Sequence, residues 1–298
     1  MIVVDWGTCR VKLTAWKWCV AALLVICPVL AWAQPKPFED IHRIPVEVVD
    51  AYGKTARQEI VVTVFKGWGS APRPLLLLNH GRATDAQGRA ALGRARYSDA
   101  AAYFVQRGFI VAVPTRIGYG VSGGEDVEDT GACGKSQFES GFEVAAQVSL
   151  QVLTWMRQRT DVNPDRIVVA GQSRGGALSV ALAAKNPAGV VAAINFAGGA
   201  GGNPKTRPGQ PCDAHVMKRV FAGFGEKVRI PTLWIYAEND LFMGPTEPRE
   251  WFAAFQSTGG RGEFVQFPPH GDDGHTFFAR GRDVWQARVD EFLKSIGL

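Results

Sequence analysis

The chain has 298 residues, 46% of them hydrophobic, and a formal net charge of +5. That length holds one large α/β domain or two small ones, and the apolar fraction is ample for a core. Lysines and arginines are scattered without a basic run, which excludes the charged stripe expected of a nucleic-acid binder.

Residues 1–33 differ in kind from the rest. Arg10, Lys12 and Lys17 precede an apolar run from Trp18 to Trp32, which closes on Ala31-Trp32-Ala33 before Gln34-Pro35. A positive n-region, an apolar h-region and an A-x-A site define a secretory signal peptide. The alternative, a membrane anchor, calls for a longer stretch than this one, which Pro28 also breaks. The expectation is a signal peptide over 1–33, a mature domain over 34–298 with no stable membrane anchor after cleavage, and a periplasmic or secreted product. Of five cysteines, Cys9, Cys19 and Cys27 leave with the signal. Cys133 and Cys212 remain, as one disulfide or as two independent thiols.

The segments Ile44 to Val49 and Glu59 to Phe65 flank Tyr52-Gly53-Lys54 and predict an antiparallel hairpin. Arg73-Pro74 introduces Leu75 to Leu78, an apolar run that reads as a strand buried on both faces, leaving through Asn79-His80-Gly81-Arg82. Residues 83–96 read as loop with helical turns. Ser98 is placed to cap a helix that Gly108 stops, and Phe109 to Pro114 is the next buried strand. A polar, Gly-rich passage follows from Arg116 to Gly141; loops of that length in compact domains are usually functional. Val144, Val148, Val152 and Trp155 recur at helical spacing. Asn163-Pro164-Asp165 then turns the chain into the strand Ile167 to Ala170.

That strand runs into Gly171-Gln172-Ser173-Arg174-Gly175, after which small, helix-compatible residues begin. A Gly-x-Ser-x-Gly between a buried strand and a helix has the context of a nucleophile elbow, in which the serine stands exposed at the carboxyl end of a sheet. Val190 to Phe196 is another strand, followed by a Pro/Gly loop containing Cys212. A helix from about Asp213 to Phe224, the strand Thr232 to Ala237, a helix from Glu247 to Gln256, the strand Glu263 to Phe267 and a closing helix with Val284, Val289, Phe292 and Leu293 complete the chain. The pattern predicts an α/β fold: eight strands in one mostly parallel sheet with helices on both faces.

A serine hydroxyl needs a base to take its proton and a third group to orient that base. With a nucleophile elbow the partners follow in the order Ser, Asp/Glu, His. The strand after the Gly-rich loop ends at Glu238-Asn239-Asp240, and the last strand ends at Pro268-Pro269-His270-Gly271-Asp272-Asp273-Gly274-His275. Both exits lie at the sheet edge where Ser173 emerges. Asp240 is the expected acid, with Glu238 as the alternative, and His275 the expected base, with His270 assigned to the loop. Asp272 and Asp273 read as a solvated loop face. The backbone N–H groups of Arg82 and Arg174 are the expected oxyanion donors. The side chains of these two arginines are open to two readings, a grip on an anionic substrate or structural salt bridges.

Asn79-His80-Gly81, Gly171-Gln172-Ser173-Arg174-Gly175-Gly176, Asp240 and Gly274-His275-Thr276-Phe277 together resemble the α/β-hydrolase fold, and within it the dienelactone hydrolase-like esterases. The resemblance covers residues 40–298 and implies ester hydrolysis through an acyl-enzyme on Ser173, a small-molecule ester as partner, and no cofactor or metal. It also implies that the loops bearing Cys133 and Cys212 meet above the nucleophile, hence a Cys133 to Cys212 disulfide at the roof of the pocket, with Tyr119, Phe138 and Phe242 as candidates for its wall. This chain departs from dienelactone hydrolases proper in having serine where they use cysteine, and in its export signal. A peptidase or an acyltransferase of the same fold, or a hydrolase-shaped binding protein without activity, are the alternative readings.

Overall fold

The computed structural model describes residues 37–298, so the signal-peptide reading of residues 1–33 lies outside the described residues. Eight strands form one sheet in the order β1-β2-β4-β3-β5-β6-β7-β8. β1 (Phe38–Val49) and β2 (Thr55–Lys66) are the antiparallel hairpin, longer at both ends than the sequence pattern predicts. Its turn is held by the Asp50 carboxylate, which accepts from the Tyr52 and Lys54 N–H groups at 2.9 and 2.8 Å. β2 pairs antiparallel with β4 (Ile110–Thr115). From β4 onward, β3 (Arg73–Asn79), β5 (Val162–Gln172), β6 (Val190–Phe196), β7 (Thr232–Ala237) and β8 (Gly262–Phe267) are all parallel.

The helices are α1 (Ala86–Ala90), α2 (Ser98–Gln106), α3 (Phe138–Arg157), α4 (Arg174–Ala183), α5 (Ala214–Gly225), α6 (Glu247–Ser257), α7 (Phe277–Arg280) and α8 (Arg282–Ser295). Strand alternation explains why Leu75 to Leu78 shows no polar residue. Leu75 and Leu77 join the core beneath α3, α4, α5 and α6, whereas Leu76 and Leu78 join the core beneath α2, α7 and α8. Among the described residues no helix is long and apolar enough to cross a membrane.

Two local expectations are corrected. The position before α2 is taken by Tyr97, not Ser98, in a left-handed conformation (φ 48, ψ 47) with no side-chain cap, because its ring and hydroxyl are held elsewhere. Asn163-Pro164-Asp165 is not a separate turn: the ladder resumes after a bulge between Arg73↔Val162 and Leu75↔Ile167, which absorbs a proline that cannot donate. The helix expected from about Asp213 is α5, and the Asp213 carboxylate just before it accepts from the Gly134 and Ser136 N–H groups at 2.8 and 3.2 Å, across the Gly-rich loop.

Candidate active site

Ser173 sits between β5 and α4 at φ 58, ψ −128, a strained conformation for a residue with a side chain. The flanking glycines are required by close approach. A Cβ on Gly171 would lie 2.3 Å from the Gly175 carbonyl oxygen, and one on Gly175 would lie 2.1 Å from that of Asn79. Asn79, at the end of β3, donates to Ser179 Oγ at 3.2 Å and accepts from Ser149 Oγ at 3.1 Å, tying the strand end to α4 and α3. Ser173 is 8% exposed and lines a cavity of about 400 Å³.

Asp240, at the end of β7, is buried. Its Oδ1 accepts from the Phe242 and Met243 N–H groups at 2.8 and 2.9 Å, which aims the carboxylate at His275. His275 Nδ1 lies 2.9 Å from Oδ2 and 3.1 Å from Oδ1. An acceptor-only carboxylate assigns the proton to Nδ1 and leaves Nε2 as the acceptor. Phe242 stacks on the imidazole at 4.0 Å and 21°. Glu238 and His270, the alternatives, take no part in this pair. Asp273 does: its Oδ1 accepts from the His275 and Leu241 N–H groups at 2.9 and 3.0 Å, bridging the two loops, so it is a structural clamp and not a solvated face. The Ser173 hydroxyl and the His275 ring form no hydrogen bond in this structure. In unliganded sites such bonds are often long and tighten when substrate binds.

The backbone N–H groups of Arg82 and Arg174 have no hydrogen-bond partner among the described residues. The peptide before Arg82 is pinned from below. His80 Nε2 accepts from the Arg116 N–H at 3.1 Å, so Nδ1 carries the proton and donates to the Gly81 carbonyl at 2.7 Å. Because a trans peptide points its carbonyl and its N–H in opposite directions, this bond turns the Arg82 N–H away from His80. Burial, with the Arg116 charge beside it, pushes the His80 ring down to about 3, so it stays neutral. Arg116 Nη1 also donates to the His80 carbonyl at 2.9 Å.

Behind this loop lies a buried ion pair that sequence reasoning missed. Arg116 meets Glu128 at 2.5 and 3.3 Å, and the Tyr119 hydroxyl donates to Glu128 Oε2 at 2.9 Å. Burial acts to raise the Glu128 carboxyl, but the Arg116 guanidinium overrides it and holds it at about 2. The Arg82 side chain forks onto Asp126 at 2.7 and 2.6 Å, and Arg89 reaches the same carboxylate at 2.9 Å. Arg82 therefore follows the salt-bridge reading. Arg174 follows neither fully: it is buried, lies 4.2 Å over the Phe142 ring and donates to the Glu128 carbonyl at 3.4 Å, and its Nε has no hydrogen-bond partner among the described residues. Burial lowers it to about 10.

Cys133 and Cys212 form a disulfide with Cα atoms 5.7 Å apart, and both line the cavity, as do Phe138 and Phe242. Tyr119 does not; it is buried in the ion-pair network. Among the described residues no three His, Cys, Asp or Glu side chains converge as a metal site requires.

Sheet order, elbow and strand-end loops define the α/β-hydrolase fold. The sequence pattern of the dienelactone hydrolase family matches residues 88–294, and the chain belongs to that family. The match includes Ser173, Asp240 and His275 and begins after the His80 loop. No curated protein sequence matches it significantly. In structure it is similar to an acetyl xylan esterase from Paenibacillus sp. R4, with 15% identity, 88% of this chain and 90% of that chain covered, and a TM-score of 0.58. An esterase from Pyrococcus furiosus has 14% identity, 87% and 92% coverage and a TM-score of 0.54. An acylaminoacyl peptidase from Pyrococcus horikoshii has 13% identity and a TM-score of 0.57 over 86% of this chain, but only 41% of its own.

Proposed function

We propose that this chain is an exported serine hydrolase that cleaves carboxylic esters through an acyl-enzyme on Ser173. The observation that carries the reading is the strained serine in the cavity lining, with a hydrogen-bonded Asp240–His275 pair and two backbone N–H groups that have no partner among the described residues. Ser173 Oγ attacks the ester carbonyl while His275 Nε2 takes its proton. The oxyanion forms against the Arg82 and Arg174 N–H groups, and His275 then hands the proton to the departing alcohol. Water, deprotonated by the same imidazole, releases the acid. Asp240 keeps the ring in the required tautomer and stabilises the imidazolium.

Relatives of the same fold include esterases and an acylaminoacyl peptidase, so the choice between ester and amide is one for experiment. The likeness extends over 90% of the acetyl xylan esterase but over only 41% of the peptidase, which favours the ester. Export is supported by the signal-like residues 1–33 and by a disulfide, which persists in oxidising compartments. A fluorophosphonate probe should label the protein and fail to label Ser173→Ala. Turnover of p-nitrophenyl esters without turnover of aminoacyl amides is the expected substrate result. Labelling without ester turnover would favour the peptidase or acyltransferase readings, and no labelling a binding protein. N-terminal sequencing of the exported product should begin at Gln34.

A further inference from the structure

One side chain of the elbow lies outside the cavity lining and touches no reacting atom, yet it meets both flanking loops. Gln172 Nε2 donates to the His275 carbonyl at 2.7 Å. A carbonyl can only accept, so the amide orientation is fixed and Oε1 faces the other way, where it accepts from the Tyr97 hydroxyl at 3.1 Å. The Tyr97 oxygen in turn accepts from the Gly81 N–H at 3.3 Å. The three bonds run in one direction, from the loop bearing the Arg82 N–H, through the elbow, to the backbone of the base.

Tyr97 is anchored for this task. It holds a left-handed backbone conformation that disfavours a side chain, and its ring packs edge-on at 5.2 Å against Phe278, three residues beyond His275. Burial raises its pKa, so the hydroxyl remains a donor. At Gly81 the relay grips the peptide from one side while Arg116 holds the His80 carbonyl from the other, so the peptide that presents the Arg82 N–H inherits a fixed orientation.

We propose that Tyr97 and Gln172 form a positioning relay that locks the oxyanion loop at Gly81 and the base loop at His275 into one geometry. The relay rests on the functional reading above. Neither residue touches the reacting atoms; each acts through the loops it joins.

The test uses the full mature protein with Tyr97→Phe, Gln172→Met and the double variant. Each single variant should lower kcat on p-nitrophenyl acetate about tenfold with KM within about twofold, the loss of one relayed hydrogen bond. Because the bonds act in series, the double variant should lose about tenfold as well, whereas independent contributions would multiply to about a hundredfold. Gln172→Glu keeps the acceptor for Tyr97 but turns an acceptor on the His275 carbonyl, and should match Gln172→Met. The low-field proton resonance of His275 Nδ1–H provides a readout free of turnover, and it should shift or broaden in both single variants. Should Gln172→Met not fold, Tyr97→Phe, which deletes one hydroxyl and keeps the ring, carries both measurements.

A multiplicative double variant, or singles with wild-type kcat and an unmoved resonance, would overturn the relay. A wild type that hydrolyses no ester while the resonance moves in the variants would overturn the functional reading and leave the relay standing.

Discussion

Replacing Glu128 by glutamine should destabilise the fold and slow the enzyme together. The carboxylate is 1% exposed and faces Arg116, which is fully buried. A neutral amide at this position could accept one hydrogen bond but would leave the guanidinium charge without its carboxylate counter-ion in a buried site. Removing one partner of a buried pair typically costs about 3 to 5 kcal/mol. The Arg116 charge holds the carboxyl at about 2, well below its ordinary 4.5, and at about 1.36 kcal/mol per unit that displacement is of the same order. For a domain of this size that is a loss on the order of 10 °C in Tm. The sign with pH follows from the lowered value: the contribution is complete above the unfolded carboxyl's range and is lost as pH falls through about 2. The wild type should therefore approach Glu128→Gln in stability at strongly acid pH. Urea titrations at neutral pH and at about pH 3, followed by circular dichroism, measure both effects. Arg116 also holds the His80 carbonyl, so kcat should fall in the variant while it is still folded. A variant within about 1 kcal/mol of wild type at neutral pH would refute the reasoning.

Asp240→Asn keeps an oxygen for the Phe242 and Met243 N–H groups but presents an amide donor to His275 Nδ1. The ring must then adopt the wrong tautomer, and kcat should fall by about 10⁴ with normal folding, read by steady-state kinetics. Opening the disulfide with Cys133→Ser and Cys212→Ser frees a loop of 79 residues and should cost about 4 kcal/mol in the chain-entropy view, measured by urea unfolding. Because both cysteines line the cavity, ester KM should rise as well. Gly175→Ala forces a Cβ to 2.1 Å from a backbone oxygen and should abolish labelling by active-site probes and lower the yield of folded protein.

What could be read in the sequence follows from what leaves a periodic or spaced trace. Strands covered on both faces appear as apolar runs, so Leu75 to Leu78 and Thr232 to Ala237 were legible, and Ser173 carried its glycines with it. The Asp240 and His275 positions followed from strand order. The Cys133 to Cys212 bridge came from the family resemblance, since two cysteines 79 residues apart say nothing of loop geometry. Other features have no such trace. Glu128 is one carboxylate in a Gly-rich loop, and its partner Arg116 lies across a turn that only tertiary packing closes. Asp273 looked like solvated loop because nothing in its neighbourhood shows that two backbone N–H groups converge on it. Ser98 has the better capping chemistry, yet Tyr97 takes the position because its hydroxyl is bound to Gln172, 75 residues away. Local propensity lost to a contact that no local rule encodes.

Under the proposed function, Ser173 is a nucleophile activated by His275. Rapid mixing of the mature protein with p-nitrophenyl acetate, followed by intact-mass spectrometry, tests it most directly. A burst of p-nitrophenol accompanied by one acetyl group on the Ser173 peptide, absent in Ser173→Ala and slowed in His275→Ala, is the predicted result. Acetyl transfer to another residue, or a burst that survives Ser173→Ala, would contradict it.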